Sequence, residues 1–171
     1  MTPRQTVLAL GAVSVAAVTL TASLKFPTEL IWNASASVPI GLYAVRPAGV
    51  LHVGELVVVT PPEPLASFLA DRGYLPERVL LLKHILALPR QTVCRIGDSI
   101  SIDGLPVGHA LARDRRDRPL PAWQGCRAIR NGEVFLMNRR PADSLDGRYF
   151  GPLPAAAITG RAEPLWINNR N

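Results

Sequence analysis

Two side chains in this sequence have the types and settings that nucleophilic catalysis requires, Ser37 and Lys83. Ser37 lies in the segment 33–39, where an asparagine and two serines occupy alternate positions ahead of a proline. In an extended chain alternate side chains share one face, so these three polar groups are expected to lie together. Pro39 fixes its own φ and favours an extended preceding residue, which stiffens the backbone beside Ser37. The alternative interpretation is an ordinary serine-rich turn.

Lys83 is unusual because the chain otherwise uses arginine for its positive charges. Of nineteen basic residues only Lys25 and Lys83 are lysines, and Lys83 lies in the apolar run 79–88. Arginine keeps its proton in proteins, whereas burial can lower the pKa of a lysine by several units. A lysine buried in this run can therefore serve as a base. The alternative is a lysine on an edge strand that points to solvent.

A serine hydroxyl is a weak nucleophile and needs a neighbouring base. A neutral lysine amine is suitable if its pKa falls from near 10.4 by roughly 2–3 units, and Ser–Lys pairs are a known variant of the catalytic triad. His84 is the rival base. Because adjacent strand side chains point to opposite faces, Lys83 and His84 should not both face Ser37. We predict that Lys83 is the base.

Length and charge narrow the classes of protein to consider. The 171 residues, 48% of them hydrophobic, predict one main domain. The formal net charge of +6 invites a nucleic-acid partner, but the densest basic cluster, residues 113–118, contains two aspartates, and aromatic residues are not interleaved with the arginines. We expect a solvated loop, near anionic lipid headgroups, and no nucleic-acid partner.

The N-terminal part of the chain resembles a membrane anchor. Residues 7–24 carry no charge, Lys25 follows them, and about 18 residues is the lower limit for a spanning helix. A cleaved signal peptide is the alternative. We predict a transmembrane signal-anchor over residues 1–25 and an exported domain over residues 26–171. Trp32 favours the membrane interface, which would place Ser37 close to the bilayer.

The remainder of the chain has the pattern of short strands separated by glycine and proline turns. Asp103-Gly104 and Asn131-Gly132 are both hairpin signals. This pattern predicts a mainly β, partly closed domain with one short helix, residues 65–72. Strands are expected at 41–46, 56–60, 78–88, 92–96, 99–102, 105–108, 127–130, 133–138 and 158–166; the apolar run 78–88 is also compatible with a helix.

The cysteines and histidines offer no metal-binding spacing. His52, His84 and His109 are scattered, and Cys94 and Cys126 form no CxxC motif, so neither a metal nor another cofactor is expected. Two cysteines in an exported domain favour a Cys94–Cys126 disulfide, whose loop would contain the arginine-rich segment. Two buried free thiols are the alternative.

Three segments, taken in order, resemble the type I signal peptidases and, more closely, the short conjugative-transfer peptidases of the TraF type. The segments are Ser35-Ala36-Ser37-Val38-Pro39-Ile40-Gly41-Leu42-Tyr43, Leu81-Leu82-Lys83-His84-Ile85-Leu86-Ala87-Leu88-Pro89, and residues 143–154 with 158–162. The resemblance implies a domain of coiled β-sheets. It departs from the general signal peptidases at Val38, where they have methionine, and at 137–140, where Met-Asn-Arg-Arg replaces a Gly-Asp-Asn box. The chain also has no room for the extra domain of the larger enzymes.

The resemblance also implies a role for each site residue. Ser37 would be acylated and Lys83 would be the general base, while the Ser37 backbone N–H and the Ser35 hydroxyl would form the oxyanion hole. Ser144 would orient the lysine amine. Asp146 and Arg148 would pair to support the site, and a plain surface ion pair is the alternative for them.

The function expected from these observations is that of a Ser/Lys endopeptidase in the bacterial inner membrane, with its catalytic domain in the periplasm. Its partners would be membrane lipid and an exported precursor, a conjugative pilin subunit that is released by hydrolysis or by cyclisation. Two rivals remain, a general preprotein signal peptidase and a non-catalytic β scaffold of a conjugation or secretion apparatus.

Overall fold

Two antiparallel sheets make up most of the computed structural model, which describes residues 3–23 and 30–168. The mainly β fold expected from the turn-rich pattern is therefore confirmed. The strands are β1 (Leu30–Asn33), β2 (Gly41–Arg46), β3 (Leu56–Val59), β4 (Leu81–Ala87), β5 (Thr92–Ile96), β6 (Ser99–Ile102), β7 (Leu105–His109), β8 (Gly125–Ala128), β9 (Glu133–Leu136), β10 (Leu153–Pro154) and β11 (Ile158–Ile167). The helices are α1 (Pro3–Ser23), α2 (Leu65–Asp71) and α3 (Gly147–Phe150), with a 3₁₀ turn at Ala155–Ala157.

The larger sheet has seven strands in the order β1-β2-β11-β3-β4-β9-β10, and the smaller has four in the order β7-β6-β5-β8. Strand β4 lies inside the larger sheet, because β3 pairs with one side of it and β9 with the other. Its residues are buried or half-buried throughout. A strand covered on both faces needs a continuous apolar run, which explains why residues 78–88 show no alternation. The apolar run is thus a strand and not a helix.

Three apolar clusters fill the interior, and one of them connects the segment that carries Ser37 with the strand that carries Lys83. Val38, which follows Ser37, packs in the same buried cluster as Leu82, which precedes Lys83. Tyr43 of β2, Val58 of β3 and Ala162 of β11 are the other buried members. Burial of apolar surface contributes about 25 cal/mol per Å². The same cluster that stabilises the sheet therefore also fixes the positions of the serine and lysine segments.

The hairpin predicted at Asn131-Gly132 is not formed, so that prediction is wrong. The turn at Asn131-Gly132 exists, since the Glu133 N–H donates to the Arg130 carbonyl at 3.0 Å. However, β8 pairs with β5 in the smaller sheet, whereas β9 pairs with β4 in the larger one. A turn sequence favours local chain reversal but does not decide which strand each arm pairs with. The turn therefore carries the chain from one sheet to the other.

The N-terminal segment forms the helix α1, whose described side chains at 3–16 are exposed. In the described ranges, no helix combines the length and the apolar character needed to cross a membrane. The predicted membrane-spanning helix is therefore not found, and Lys25, expected to close it, lies outside the described residues.

Candidate active site

Ser37 lies in a turn between β1 and β2, and one asparagine side chain holds that turn. The buried Asn33 Nδ2 donates to the carbonyls of Ser35 at 2.8 Å and of Val38 and Pro39 at 3.1 Å. Its Oδ1 accepts from the Ser35 backbone N–H at 3.2 Å. Asparagine side chains commonly replace backbone partners in turns in this way. The expectation of an extended segment is wrong here, because these bonds fold residues 34–38 back on Asn33.

The three polar side chains nevertheless meet, as predicted, although by a different geometry. The Ser35 Oγ lies 3.0 Å from Asn33 Oδ1, to which it donates, and 3.1 Å from the Ser37 Oγ. A hydroxyl has one proton. Since the Ser35 proton is directed to Asn33, the Ser37 hydroxyl is the donor in the Ser37–Ser35 bond. Ser35 must therefore turn its O–H away from Asn33 before it can donate to an oxyanion.

Lys83 is buried on the interior strand β4, with 4% of its surface exposed. The alternative of an edge-strand lysine in solvent is thus excluded. Its Nζ donates to the Ser144 Oγ at 2.7 Å, and Ser144 is itself buried. Desolvation lowers the pKa of Lys83 from 10.5 to about 8; the Asp146 carboxylate opposes this shift and the Arg148 guanidinium adds to it. With this pKa roughly a tenth of the amine is neutral at pH 7 and about half at pH 8, so the neutral form that a general base requires is accessible.

Ser35, Ser37, Lys83 and Ser144 all line one cavity of about 480 Å³, called here the Lys83 pocket. The Ser37 hydroxyl bonds to Ser35 and the lysine amine bonds to Ser144, so each is held at the cavity wall by its own neighbour. Among the described residues no hydrogen bond joins the hydroxyl to the amine, so the two groups share the cavity without direct contact. The arrangement suits attack by Ser37 with proton transfer to Lys83.

The His84 side chain does not line the Lys83 pocket. It lines a second cavity of about 770 Å³, called here the His84 pocket, which Ala36 and Ser37 also border. Its ring Nδ1–H donates to the Asn138 Oδ1 at 3.0 Å, because an amide oxygen can only accept. Ser37 therefore lies at the boundary of two pockets, with Lys83 in one and His84 in the other.

Asp146 and Arg148 form a buried, bidentate ion pair, and the alternative of a surface pair is wrong. The Arg148 Nε and an Nη each donate to the Asp146 carboxylate at 2.9 Å, and the two side chains are 0–1% exposed. Arg148 also donates to the carbonyls of Asn138 at 2.8 Å and Ala142 at 2.9 Å. This network fixes the segment 138–148, which carries Ser144 towards Lys83.

Asn138 is a supporting residue that the sequence reasoning did not assign. It is 1% exposed, and its Nδ2 donates to the Leu82 carbonyl at 3.0 Å while its backbone N–H donates to Asp146 at 3.0 Å. It therefore connects the strand that carries Lys83 to the Asp146–Arg148 pair. One feature of the sequence could have indicated this role. Asn138 lies in the Met-Asn-Arg-Arg stretch, at the place where the general signal peptidases have a Gly-Asp-Asn box.

The predicted Cys94–Cys126 disulfide is present, and it joins residues directly opposite each other in β5 and β8. The loop that it closes contains the arginine-rich segment, which was expected to be solvated near lipid headgroups. Arg115 and Arg116 of that segment are exposed but border the Lys83 pocket. Arg115 pairs with Asp143 at 2.6 Å and Arg118 pairs with Asp114 at 2.7 Å. The segment thus forms part of the pocket wall.

The chain belongs to the signal peptidase family, peptidase S26, whose model matches residues 3–167. It is 33% identical over 144 residues to a plasmid transfer protein TraF of Escherichia coli, a match covering 78% of this chain and 80% of the relative. It is 36% identical over 146 residues to a probable conjugal transfer protein TraF of Sinorhizobium fredii, covering 78% of this chain and 74% of the relative.

Two further similarities concern signal peptidases themselves. A probable signal peptidase I-1 of Synechocystis is 31% identical over 111 residues, covering 65% of this chain and 52% of the relative. Among solved structures, a signal peptidase I from Enterococcus faecalis has a TM-score of 0.40 and 17% identity, over 67% of this chain and 97% of that one. The family model and the TraF relatives confirm, at the level of the family, the resemblance expected from three sequence segments.

Proposed function

We propose that this protein is a serine endopeptidase in which Ser37 is the nucleophile and Lys83 the general base. The observation that carries the proposal is Lys83 itself: buried, bonded to Ser144, with a pKa lowered to about 8, in the pocket that Ser37 borders. The family membership supports a signal-peptidase-like hydrolase.

In the proposed reaction the Ser37 Oγ attacks the scissile carbonyl while the neutral Lys83 Nζ takes the hydroxyl proton. The oxyanion that forms would be stabilised by the Ser37 backbone N–H and, once it turns from Asn33, by the Ser35 hydroxyl. Collapse of this intermediate breaks the C–N bond, and the Lys83 ammonium returns its proton to the departing amine. The acyl-enzyme is then resolved by water or by another amine, with Lys83 again as base. Attack by the substrate's own amino terminus would give a cyclic product.

The proposed substrate is an exported precursor, and the relatives' role in conjugal transfer points to a conjugative pilin subunit. We place the catalytic domain in the bacterial periplasm and the N-terminal helix at the inner membrane. The Cys94–Cys126 disulfide supports an oxidising compartment, and the exposed apolar side chains of α1 support contact with lipid.

The decisive experiment compares pilin processing by wild type, Ser37→Ala and Lys83→Arg. Arginine keeps the charge and approximate length of lysine but cannot lose its proton, so it tests the base role specifically. We expect no processing by either variant, with folding checked by circular dichroism, and a wild-type kcat/KM that rises with pH through about pH 8. Normal processing by Lys83→Arg would exclude Lys83 as the base and favour His84 instead.

The same assay separates the rival functions. Mass spectrometry of the product distinguishes hydrolysis from cyclisation, because a cyclic peptide lacks one water. Cleavage of an ordinary exported precursor as efficient as that of pilin would indicate a general preprotein signal peptidase. Full conjugation with Ser37→Ala would instead indicate a non-catalytic scaffold.

A further inference from the structure

The His84 pocket has a positively charged rim that the chain itself does not neutralise. Arg139 and Arg140 both line this pocket and both are exposed. Within residues 3–23 and 30–168, neither guanidinium has an ion pair or hydrogen bond, and no aspartate or glutamate lines the pocket. Its floor is mainly apolar, with Leu86 and Met137 among its residues.

The Lys83 pocket differs in this respect. It is also lined by arginines, but Arg115 pairs with Asp143 and Arg118 pairs with Asp114. Two of its three arginines are therefore compensated by neighbouring carboxylates, and the third, Arg116, has no ion pair among the described residues. Of the two cavities beside Ser37, the His84 pocket is the one that lacks a negative partner.

We propose that the His84 pocket binds an acidic residue of the substrate peptide, and that Arg139 and Arg140 are specificity-determining residues. This inference rests on the proposed peptidase function. A guanidinium matches a carboxylate through two parallel hydrogen bonds, and a cationic rim over low-dielectric walls concentrates anionic ligands. An aliphatic side chain next to the acidic one would fill the apolar floor.

A peptide is favoured over a lipid headgroup as occupant because of where the pocket lies. Ala36 and Ser37 border both cavities, so a chain whose carbonyl lies at Ser37 continues from one pocket into the other. Residues on one side of the scissile bond must therefore pass Arg139 and Arg140. The rim would select for negative charge at a fixed distance from the cleaved bond.

The test uses fluorogenic peptides with alanine before the scissile bond and Glu, Gln or Lys placed in turn at each nearby position on both sides. The full chain is assayed in a non-ionic detergent. We expect one position at which kcat/KM follows the order Glu, Gln, Lys, with a difference of up to about fivefold for each arginine, as for exposed ion pairs. Arg139→Ala/Arg140→Ala should abolish the preference, and Arg139→Glu/Arg140→Glu should reverse it. Arg130→Ala, an exposed arginine outside both pockets, is the matched control and should leave it unchanged.

The outcomes distinguish this inference from the proposed function. Cleavage of the Gln peptides by wild type but not by Ser37→Ala would support the proposed peptidase function. If Glu and Lys peptides are then cleaved equally at every position, the proposed charge preference is wrong. If no peptide is cleaved, fluorescence anisotropy of labelled peptides on Ser37→Ala decides: tighter Glu binding that requires Arg139 and Arg140 supports the inference, and equal binding overturns it. A third outcome is that Arg139→Ala/Arg140→Ala no longer binds vesicles of anionic lipid while peptide binding does not depend on peptide charge. The arginine rim would then be a lipid contact, and the inference of an acidic-residue site would be overturned.

Discussion

At the scale of single residues, Lys83 illustrates a conflict between stability and chemistry. A protonated amine that is 4% exposed lacks the hydration it has in the unfolded chain, and its single hydrogen bond to Ser144 replaces only part of it. The lowered pKa is the measure of that loss. A side chain that only stabilised the fold would be apolar at this position, as its strand neighbours Leu82 and Ile85 are.

We predict that Lys83→Met raises the free energy of unfolding by about 1–3 kcal/mol below pH 8 and by progressively less above it. The pKa is about 8 in the folded protein and near 10.5 in the unfolded chain. Between these values the unfolded state binds more protons, so wild-type stability rises with pH and the advantage of methionine shrinks. Urea unfolding at about pH 6.5 and about pH 9.5 measures the difference. Leu81→Met is the control, and an advantage independent of pH would contradict the prediction.

The sequence was sufficient to select Ser37 and Lys83 as candidates, because a lysine in an apolar run of an arginine-using chain and a serine two residues before a proline are local signals, and the structure places both at one cavity. The sequence was not sufficient to predict the backbone conformation that holds Ser37. Alternation at 33, 35 and 37 predicts a strand face, but the Asn33 amide forms three bonds to nearby carbonyls that an extended segment would forgo. Competition between side-chain and backbone partners is decided by three-dimensional context, which the alternation does not contain.

At the scale of elements, the short helix α3 and the segment before it depend on the buried Asp146–Arg148 pair. Asp146 caps this helix by accepting from the Arg148 backbone N–H at 3.2 Å. Gly147 lies between the pair, where a Cβ atom would come within 2.6 Å of the Phe135 ring. The motif Asp-Gly-Arg is therefore required by packing as well as by charge.

We predict that Asp146→Asn lowers the free energy of unfolding by about 3–5 kcal/mol, because it leaves the Arg148 charge buried without its partner. Glu163→Gln is the matched control, since the Arg46–Glu163 pair is about 60% exposed on both sides and its loss should cost less than about 1 kcal/mol. Denaturant midpoints of both variants make the comparison. Equal effects would mean that the pair is not a structural support.

Strand positions were predicted well where the signal is local and poorly where it is not. Gly41–Arg46, Thr92–Ile96 and Ser99–Ile102 have the expected bounds. The turn at Asn131-Gly132 also exists, yet the strands beside it belong to different sheets. Strand pairing is determined by contacts distant in sequence, such as the Cys94–Cys126 link across β5 and β8, which turn residues cannot specify.

At the scale of the whole molecule, exposed apolar surface lies close in sequence to Ser37, the proposed nucleophile. Trp32 and Trp166 stack with ring centroids 5.8 Å apart although each is 56% exposed, and Leu30 and Leu165 are exposed beside them. Trp32 immediately precedes Asn33, whose amide holds the Ser37 turn. Tryptophan is enriched where proteins meet the membrane surface, so this Trp32–Trp166 patch supports the proposal that Ser37 works near lipid.

We predict that the Trp32–Trp166 patch contacts the bilayer when the full chain is reconstituted in vesicles. Lipids brominated on their acyl chains should then quench much of the tryptophan fluorescence, because these two indoles would lie at the interface. Trp32→Phe/Trp166→Phe should remove most of the quenchable signal, whereas Trp123→Phe should retain it, since the Trp123 indole N–H is bonded within the protein to the Gly147 carbonyl. If the remaining Trp123 is quenched as strongly as the pair, the patch does not face the membrane, and the proximity of Ser37 to lipid would have to depend on α1 alone.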